Sequence, residues 1–560
     1  MQLCEETSRN SAQEIMEVFK MRKPLIVFLT LLFSLVLFGF EGTVFVDENQ
    51  NDFKEADEIV LEGVLVSDGK TLVETNNEGI YSLDTEEPFI FIIMPNGYRS
   101  EKWYLSTKSN RHDFPLIETR NDNDFFAIAS DIHYAKNEED FAEALSDRWM
   151  EYDPNIYIKK LRQKLENIKP SFVIALGDMG ASIRDIEDKK GVEQLETVKK
   201  YLDIKGIDIY YAVGNHEVDK TDSNPTEVYQ KVFGPRYYSF NRNSVHFIVL
   251  DLHEIINNDF IYTIDDKQLK WIEADLKYVD EKTPIVIFSH EPIYDIENTR
   301  NNEKLLELLT TFRINANISG HLHHMAILQE APFPVITCGA VCGAWWEGPS
   351  PTGEEFGFSL FVLDRGVPHY GYFLLDKEPS IWFDLPLDGM LSGIINLRVT
   401  TLKEYLSPSL FLDGIKLDNK PTILRRGCWY EYLYRLNVSG LKDGEHLIAF
   451  GNEDMEKSKS IWVSKQNVTI KQLKEYPEAF EGRSVNIINA KPKAVWGSNI
   501  SFDDGTDLFM TKLSNLKLAF EINSSSYYHL NGIYRNSFRV ADPLRIYLDE
   551  GIVQKIDKEE

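Results

Sequence analysis

The chain has 560 residues, and 89 Asp+Glu against 60 Lys+Arg leave a formal net charge of −29. Hydrophobic residues make up 43% and aromatics 12%, enough to bury several cores, which excludes a wholly disordered chain; at ~150 residues per domain the length suggests three or four domains. The acidic balance excludes a protein that grips nucleic acid or anionic membrane by charge alone, and four cysteines exclude a small disulfide-stapled scaffold.

Residues 1–20 are polar. Met21-Arg22-Lys23 then opens a basic stretch, and Leu25 to Phe40 is apolar apart from Thr30, Ser34 and Gly39. Residues 21–41 therefore read as a signal peptide or anchor, so the protein is expected to be exported, to the periplasm, the cell surface or the medium. The apolar run falls short of the ~20 residues that span a bilayer comfortably, so membrane contact is expected only through an uncleaved N-terminal segment. Cys338, Cys342 and Cys428 are expected to be buried small hydrophobes.

Four segments follow. Residues 43–120 alternate polar and apolar positions between turns at Asp68-Gly69, Asn77-Glu78-Gly79 and Pro95-Asn96-Gly97, as a small β-sandwich does. Residues 124–378 change character: strands at Phe125–Ser130, Phe172–Leu176 and Ile209–Val213 alternate with helices near 155–168 and 191–203. A further helix over Asp265–Tyr278 opens with Asp265 and Gln268 at capping-box spacing. Such alternation predicts an α/β core of βαβ units around a buried sheet. Residues 385–452 and 466–556 return to short strands, predicting C-terminal all-β modules.

Five short blocks in the second segment carry the chemistry: Asp131-Ile-His133, Gly177-Asp178, Gly214-Asn215-His216-Glu217, His290 within Phe288-Ser-His-Glu-Pro292, and Gly320-His321-Leu-His323. Each follows an apolar run that reads as a strand. Ligands of open α/β sheets bind beyond the carboxyl ends of strands, so the blocks are expected to converge on one rim. Carboxylate, amide oxygen and imidazole suit Zn, Mn or Fe, and the lack of thiolates disfavours a structural zinc site. Seven candidate ligands (Asp131, His133, Asp178, Asn215, His290, His321 and His323) exceed the needs of one tetrahedral ion and suit two ions with a shared carboxylate.

The five blocks, in this order, resemble the calcineurin-like metallophosphoesterase family over about 125–375. The resemblance implies that Asp131, His133 and His323 hold one metal, that Asn215, His290 and His321 hold the other, and that Asp178 bridges. It further implies that His216 contacts the phosphoryl group or leaving oxygen, with Glu217 orienting the imidazole. The metal-bridging hydroxide of such enzymes attacks phosphorus while His216 aids the leaving group. Purple acid phosphatases of the same superfamily carry a Tyr three residues after the bridging Asp; here that position is Ala181, so a tyrosinate-iron centre is not expected. The Leu61–Lys70 and Asn77–Leu83 stretches resemble transthyretin-like modules. Those flanks and Gly343-Ala-Trp-Trp346 are similar to a secreted bacterial subgroup with N- and C-terminal accessory domains. Ser409–Gly414 and Trp429–Leu436 suggest an immunoglobulin-like sandwich, and the fourth segment weakly resembles an OB-type barrel.

The expected function is dinuclear metal-dependent hydrolysis of a phosphate ester. A catalytically degenerate surface protein that binds glycan through its accessory modules, and an exported nuclease, are the alternatives; the intact Asn215-His216-Glu217 block favours catalysis, and the net charge opposes the nuclease. His246, His253, His369, His446 and His529 are read as satisfied core histidines. Trp345 and Trp346 are read as adjacent strand residues of which only one can face the cleft. All five blocks lie within 120–382, so that span is expected to work without its flanks.

Overall fold

The computed structural model describes residues 39–556 except for 110, 120–123, 136–152, 182–187, 220–223, 258, 294–299, 330–331, 344, 347–353, 385–393, 439, 443, 453, 464–466, 476–483, 497–498, 513–526 and 537–545. All but the last three residues of the 21–41 stretch lie outside this set. Those three belong to the strand Gly39–Val46, where Gly39 pairs with Asp84 and Phe40 with Leu83. Among the described residues, no helix is long and apolar enough to cross a membrane.

Two four-stranded sheets form the N-terminal part, with Val44, Val66, Tyr81, Ile90 and Phe114 turned inward. The α/β core follows. We number its sheet strands β1 (Phe125–Ala129), β2 (Phe172–Leu176), β3 (Asp208–Ala212), β4 (Tyr238–Arg242), β5 (Val245–Val249), β6 (Ile285–Phe288), β7 (Ile314–Ser319), β8 (Ala326–Gln329), β9 (Val335–Thr337), β10 (Gly357–Asp364) and β11 (Val367–Leu374). The longer helices are α1 (Pro154–Ile168), α2 (Asp188–Leu202), α3 (Glu227–Phe233), α4 (Asp266–Asp275) and α5 (Arg300–Thr310). One sheet runs β3-β2-β1-β10-β11 and the other β4-β5-β6-β7-β9-β8. Strands β1 to β3 are mutually parallel, as are β5, β6, β7 and β9. Strands β1, β2 and β6 are wholly apolar, and β5 is apolar apart from His246, because both of their faces are covered.

Local signals act as the sequence suggests. Pro154 opens α1 with Asp153 as N-cap, its side chain accepting from Asn155 N, and Lys169 closes the helix in a left-handed conformation. Asp265 caps α4 by accepting from Gln268 N at 2.6 Å.

The third part takes in more chain than 385–452. Its two four-stranded sheets begin at Ile381–Asp384 and end at Lys457–Val463, because Ile381 and Phe383 belong to its apolar core and not to that of the α/β region. In the last part, five antiparallel strands between Ser484 and Ile556 form one sheet whose two edge strands, Leu508–Lys512 and Ile546–Ile556, lie beside each other.

The span 120–382 shares its apolar core with the N-terminal sheets, which bears on its expected independence. The N-terminal sheets and the α/β core bury their apolar faces in one continuous cluster that joins Val44, Phe91 and Trp103 to Tyr210, Phe240 and Trp271. Trp103 packs 4.3 Å from Tyr238 between ring centroids, and Trp271 Nε1–H donates to Ser67 Oγ at 3.0 Å.

Candidate metal centre

Each block begins within three residues of a strand's carboxyl end: Asp131 after β1, Asp178 after β2, Asn215 after β3, His290 after β6 and His321 after β7. Backbone bonds knit these turns together: His133 N donates to Asp178 O at 2.8 Å, Gly320 N to His290 O at 2.8 Å, and Cys342 N to Asp131 O at 3.3 Å. Five of the seven candidate ligands sit in the left-handed region, with φ of 52° at Asp131, 42° at His133, 51° at Asp178, 67° at His321 and 57° at His323. That conformation is costly for residues with a Cβ and collects at functional sites. The glycines make the close approach possible. A Cβ on Gly320 would lie 1.9 Å from Ser130 Oγ and 2.7 Å from Asp131 Oδ2, and one on Gly214 would lie 2.2 Å from Asp178 N.

The side chains meet as the blocks imply. Asp178 Oδ2 lies 3.0 Å from His290 Nε2 and 3.5 Å from His133 Nε2. Asp131 Oδ1 lies 3.3 Å from His323 Nε2 and 3.9 Å from His290 Nε2. Asn215 Oδ1 is 3.1 Å from His321 Nδ1. Potential donor atoms of His133, Asp178 and His216 fall within 4.8 Å of one another, as do those of Asp178, His290 and His321. Asp178 is thus common to both groups. A third such group joins His133 and His323 to Cys342.

Burial raises the cost of charge on Asp131, yet His323 and then His290 bring its carboxyl down to about 2. Asp178 is likewise held well below the usual carboxylate range, against burial, by His290 and His216. Burial, then the neighbouring His216, pushes the His133 imidazole well down, and burial lowers His321. His290 and His323 go the other way: burial opposes their charge, but Asp178 and Asp131 respectively prevail.

The donor set fits metal. His133 is fully buried and neither of its ring nitrogens makes a hydrogen bond, the Asp178 carboxylate standing 3.5 Å from Nε2. Unsatisfied buried nitrogens are costly, and a cation accepting their lone pairs removes that cost. With the oxygens of Asp131, Asp178 and Asn215, they make an N/O set suited to borderline transition-metal ions.

The sequence of residues 126–325 matches the family described as calcineurin-like phosphoesterase, and residues 48–126 match the N terminal of calcineurin-like phosphoesterase. Over residues 48–325 the chain therefore resembles that family and its N-terminal extension. The chain is 24% identical over 203 residues to tartrate-resistant acid phosphatase type 5 of Sus scrofa, covering 31% of this chain and 58% of that protein. It is 30% identical over 129 residues to purple acid phosphatase 23 of Arabidopsis thaliana, covering 20% and 27%. The chain therefore spans less than two thirds of either curated relative. A dimetal phosphatase from Danio rerio superposes with a TM-score of 0.33 at 19% identity, over 45% of this chain and 99% of that one.

Around the centre, two expectations need correction. Glu217 does not orient the His216 ring. Its Oε2 accepts from Asp178 N and Gly214 N at 2.8 and 2.9 Å, and its Oε1 from Met179 N and Gly180 N at 2.8 and 3.1 Å. Burial, then Asp178, pushes this carboxyl up to about 8, while the Gly180 and Gly214 N–H bonds pull the other way. Glu217 is a brace that pins the β2 turn to the β3 turn. The partner of His216 is a main-chain group: Nδ1 lies 2.6 Å from Ala181 O, and His216 N donates to Asp178 Oδ1 at 2.8 Å. Trp345 and Trp346, secondly, lie in a turn, not a strand, both with positive φ.

Three further residues that the sequence did not assign to the site bear on it. Cys342 Sγ stands 3.8 Å from His323 Nδ1. Glu291 and His253 continue a buried ionic chain behind His290: Glu291 Oε1 is 2.8 Å from His253 Nε2, His253 Nδ1 2.8 Å from Asp251 Oδ1, and Asp251 Oδ2 2.6 Å from Arg236. Clustering of His253 with two acids is a three-dimensional fact with no spacing signature. Of the histidines read as core, His246 and His253 are buried, but His369, His446 and His529 are only half-buried. His324 is buried, with Nδ1 2.8 Å from Leu322 O.

Proposed function

We propose that the chain is a metal-dependent hydrolase of phosphate esters with a dinuclear centre. Asp131, His133 and His323 would hold one ion, Asn215, His290 and His321 the other, and Asp178 both. The observation that carries this reading is the membership of Asp178 in two donor groups beside the buried His133 ring, whose nitrogens make no hydrogen bond. Two such ions, when bound, supply positive charge to the phosphoryl oxygens and acidify a water molecule.

The chain's own groups do the rest. With Nδ1–H donating to Ala181 O, His216 has Nε2 left for the substrate. As the imidazolium it can pass the Nε2 proton to the departing oxygen while keeping the Nδ1 bond, so the ring stays aligned through the transfer. A carbonyl partner fixes the ring without adding negative charge behind it. Glu217, through four backbone N–H groups, keeps the Asp178 and Asn215 turns in register. The basic-then-apolar stretch at 21–41 supports export as the setting of this activity.

The leaving group supplies the test. We expect His216→Ala to slow hydrolysis of alkyl phosphate esters by ~10²–10⁴-fold, and to affect nitrophenyl esters far less because their leaving group departs without a proton. Steady-state kinetics on both ester classes, with metal content confirmed by mass spectrometry, checks this. Equal losses for the two classes would refute proton donation by His216.

A further inference from the structure

Trp345 and Trp346 are neighbours in sequence with opposite fates. Trp346 is fully buried: its Nε1–H donates to His133 O at 3.0 Å, its backbone N to Cys342 O at 2.8 Å, and its ring packs 5.4 Å from both Tyr157 and Phe356. Trp345 is 41% exposed, an unusual place for the largest apolar side chain. It stands at the metal centre, with its ring centroid 4.8 Å from His323 and 6.1 Å from His133. Both tryptophans hold positive φ, 48° and 66°. A bulky residue adopts that conformation only where its surroundings enforce it. Here the buried anchor of Trp346 enforces a turn whose visible result is an indole presented beside the ligands. On the far side of the centre, Tyr262 lies edge-on to His321 at 5.9 Å but is packed against Phe260 at 5.1 Å. The open ring is on the His323 side.

We propose that Trp345 is a stacking platform that selects phosphate esters carrying a flat unsaturated ring, such as an aryl group or a nucleobase, on the side of phosphorus nearest His323. This inference rests on the hydrolase reading above. A flat ring gains most from a rigid indole face because its whole area reaches van der Waals contact at once, whereas a puckered ring touches only in part. The net charge of −29 directs the platform to a small ester and not to a polyanionic strand.

The test uses the full chain loaded with Mn²⁺ and four probes: inorganic phosphate, methylphosphonate, phenylphosphonate and cyclohexylphosphonate, titrated by calorimetry. Base–aromatic stacking corresponds to about 5- to 150-fold in affinity. The wild-type chain should therefore favour phenyl over methylphosphonate by about tenfold or more, with cyclohexyl well below phenyl. Trp345→Phe should keep most of that ratio, and Trp345→Ala should bring it near unity while phosphate affinity and manganese content change little by comparison. A ratio unmoved in Trp345→Ala, or cyclohexyl binding as tightly as phenyl, overturns the platform. Ester turnover is read in parallel. If the phosphonates bind as expected but no ester is hydrolysed, the hydrolase reading falls alone; if esters are hydrolysed and the ratio ignores residue 345, the platform falls alone. Failure of the loaded wild-type chain to bind any phosphonate overturns both.

Discussion

The N-terminal part and the third part are both pairs of four-stranded sheets, yet they join the α/β core in different ways. Among the described residues, the N-terminal sheets share one apolar core with it. Phe91, Trp103 and Trp271 lie in one cluster with Tyr238 and Phe240, and the chain at Met94 pairs with Phe240, Asn241 N donating to Met94 O at 2.8 Å. The third part keeps its own core of Val399, Leu410, Tyr432 and Phe450. It also meets the α/β region: Trp429 and Trp382 belong to that region's apolar clusters, Arg398 donates to Tyr370 O at 2.8 Å, and Lys457 lies 2.6 Å from Glu355. Similar architecture therefore does not mean similar dependence. What decides is where the apolar area is buried.

The largest expected effect comes from removing one part or another. A chain lacking residues 39–118 should fail to give soluble, metal-binding protein, since it exposes the shared cluster. A chain ending at 463 should keep its metal and its turnover, because the strands beyond Ser484 pair among themselves. Soluble yield and metal content of the two truncations decide the matter, and recovery of an active 120–382 fragment would break the comparison.

Point changes sharpen it. Trp103→Ala should cost about 3–5 kcal/mol and Leu410→Ala about 2–5 kcal/mol. The first should lower the unfolding midpoint of the metal centre, and the second should melt the third part while ester hydrolysis persists. Parallel thermal unfolding followed by activity and by near-ultraviolet dichroism would show whether the two losses separate.

Smaller effects follow from the ion pairs on either side. His253 is buried between Asp251 and Glu291; burial opposes its charge, but Glu291 and Asp251 raise its imidazole to about 10. A folded pKa above the unfolded ~6.5 means stabilisation that is fully present below pH ~6.5 and lost as pH rises through about 10. His253→Gln should thus cost about 1–3 kcal/mol near pH 6 and progressively less toward pH 10. Glu355, a quarter exposed beside Lys457 and Lys377, has its carboxyl lowered by them against burial. Glu355→Gln should cost only about 0.5 kcal/mol, an effect present above the ordinary carboxylate range and lost in acid. Urea unfolding across pH checks both signs.

The site was far more legible in the sequence than the joints between parts. Asp131, His133, Asp178, Asn215, His290, His321 and His323 could be read because the turns after β1, β2, β3, β6 and β7 constrain both backbone and side chain, leaving glycines and donors at fixed spacing. The Ala181 carbonyl could not, since a main-chain group leaves no mark on residue identity. Glu217 was misassigned for a related reason: its partners are four backbone N–H groups. In residues 43–120 alternation marked one buried face, but nothing in it said that Trp103 would bury itself against Tyr238, because packing between sheets is fixed by tertiary contact. The turn holding Trp345 read as strand because two left-handed tryptophans in a row have no sequence signature.

The central claim is that Asp178 serves two cations that act together on a phosphate ester. Metal analysis of the purified full chain and of Asp178→Asn, with hydrolysis measured on the same samples, tests it most directly. Close to two transition-metal ions per wild-type chain are expected, with loss of both metal and activity on chelation, and a fall of more than about 100-fold in activity together with weakened metal binding in Asp178→Asn. One ion or none in a fully active wild-type chain, or an Asp178→Asn variant that keeps its activity, would contradict it.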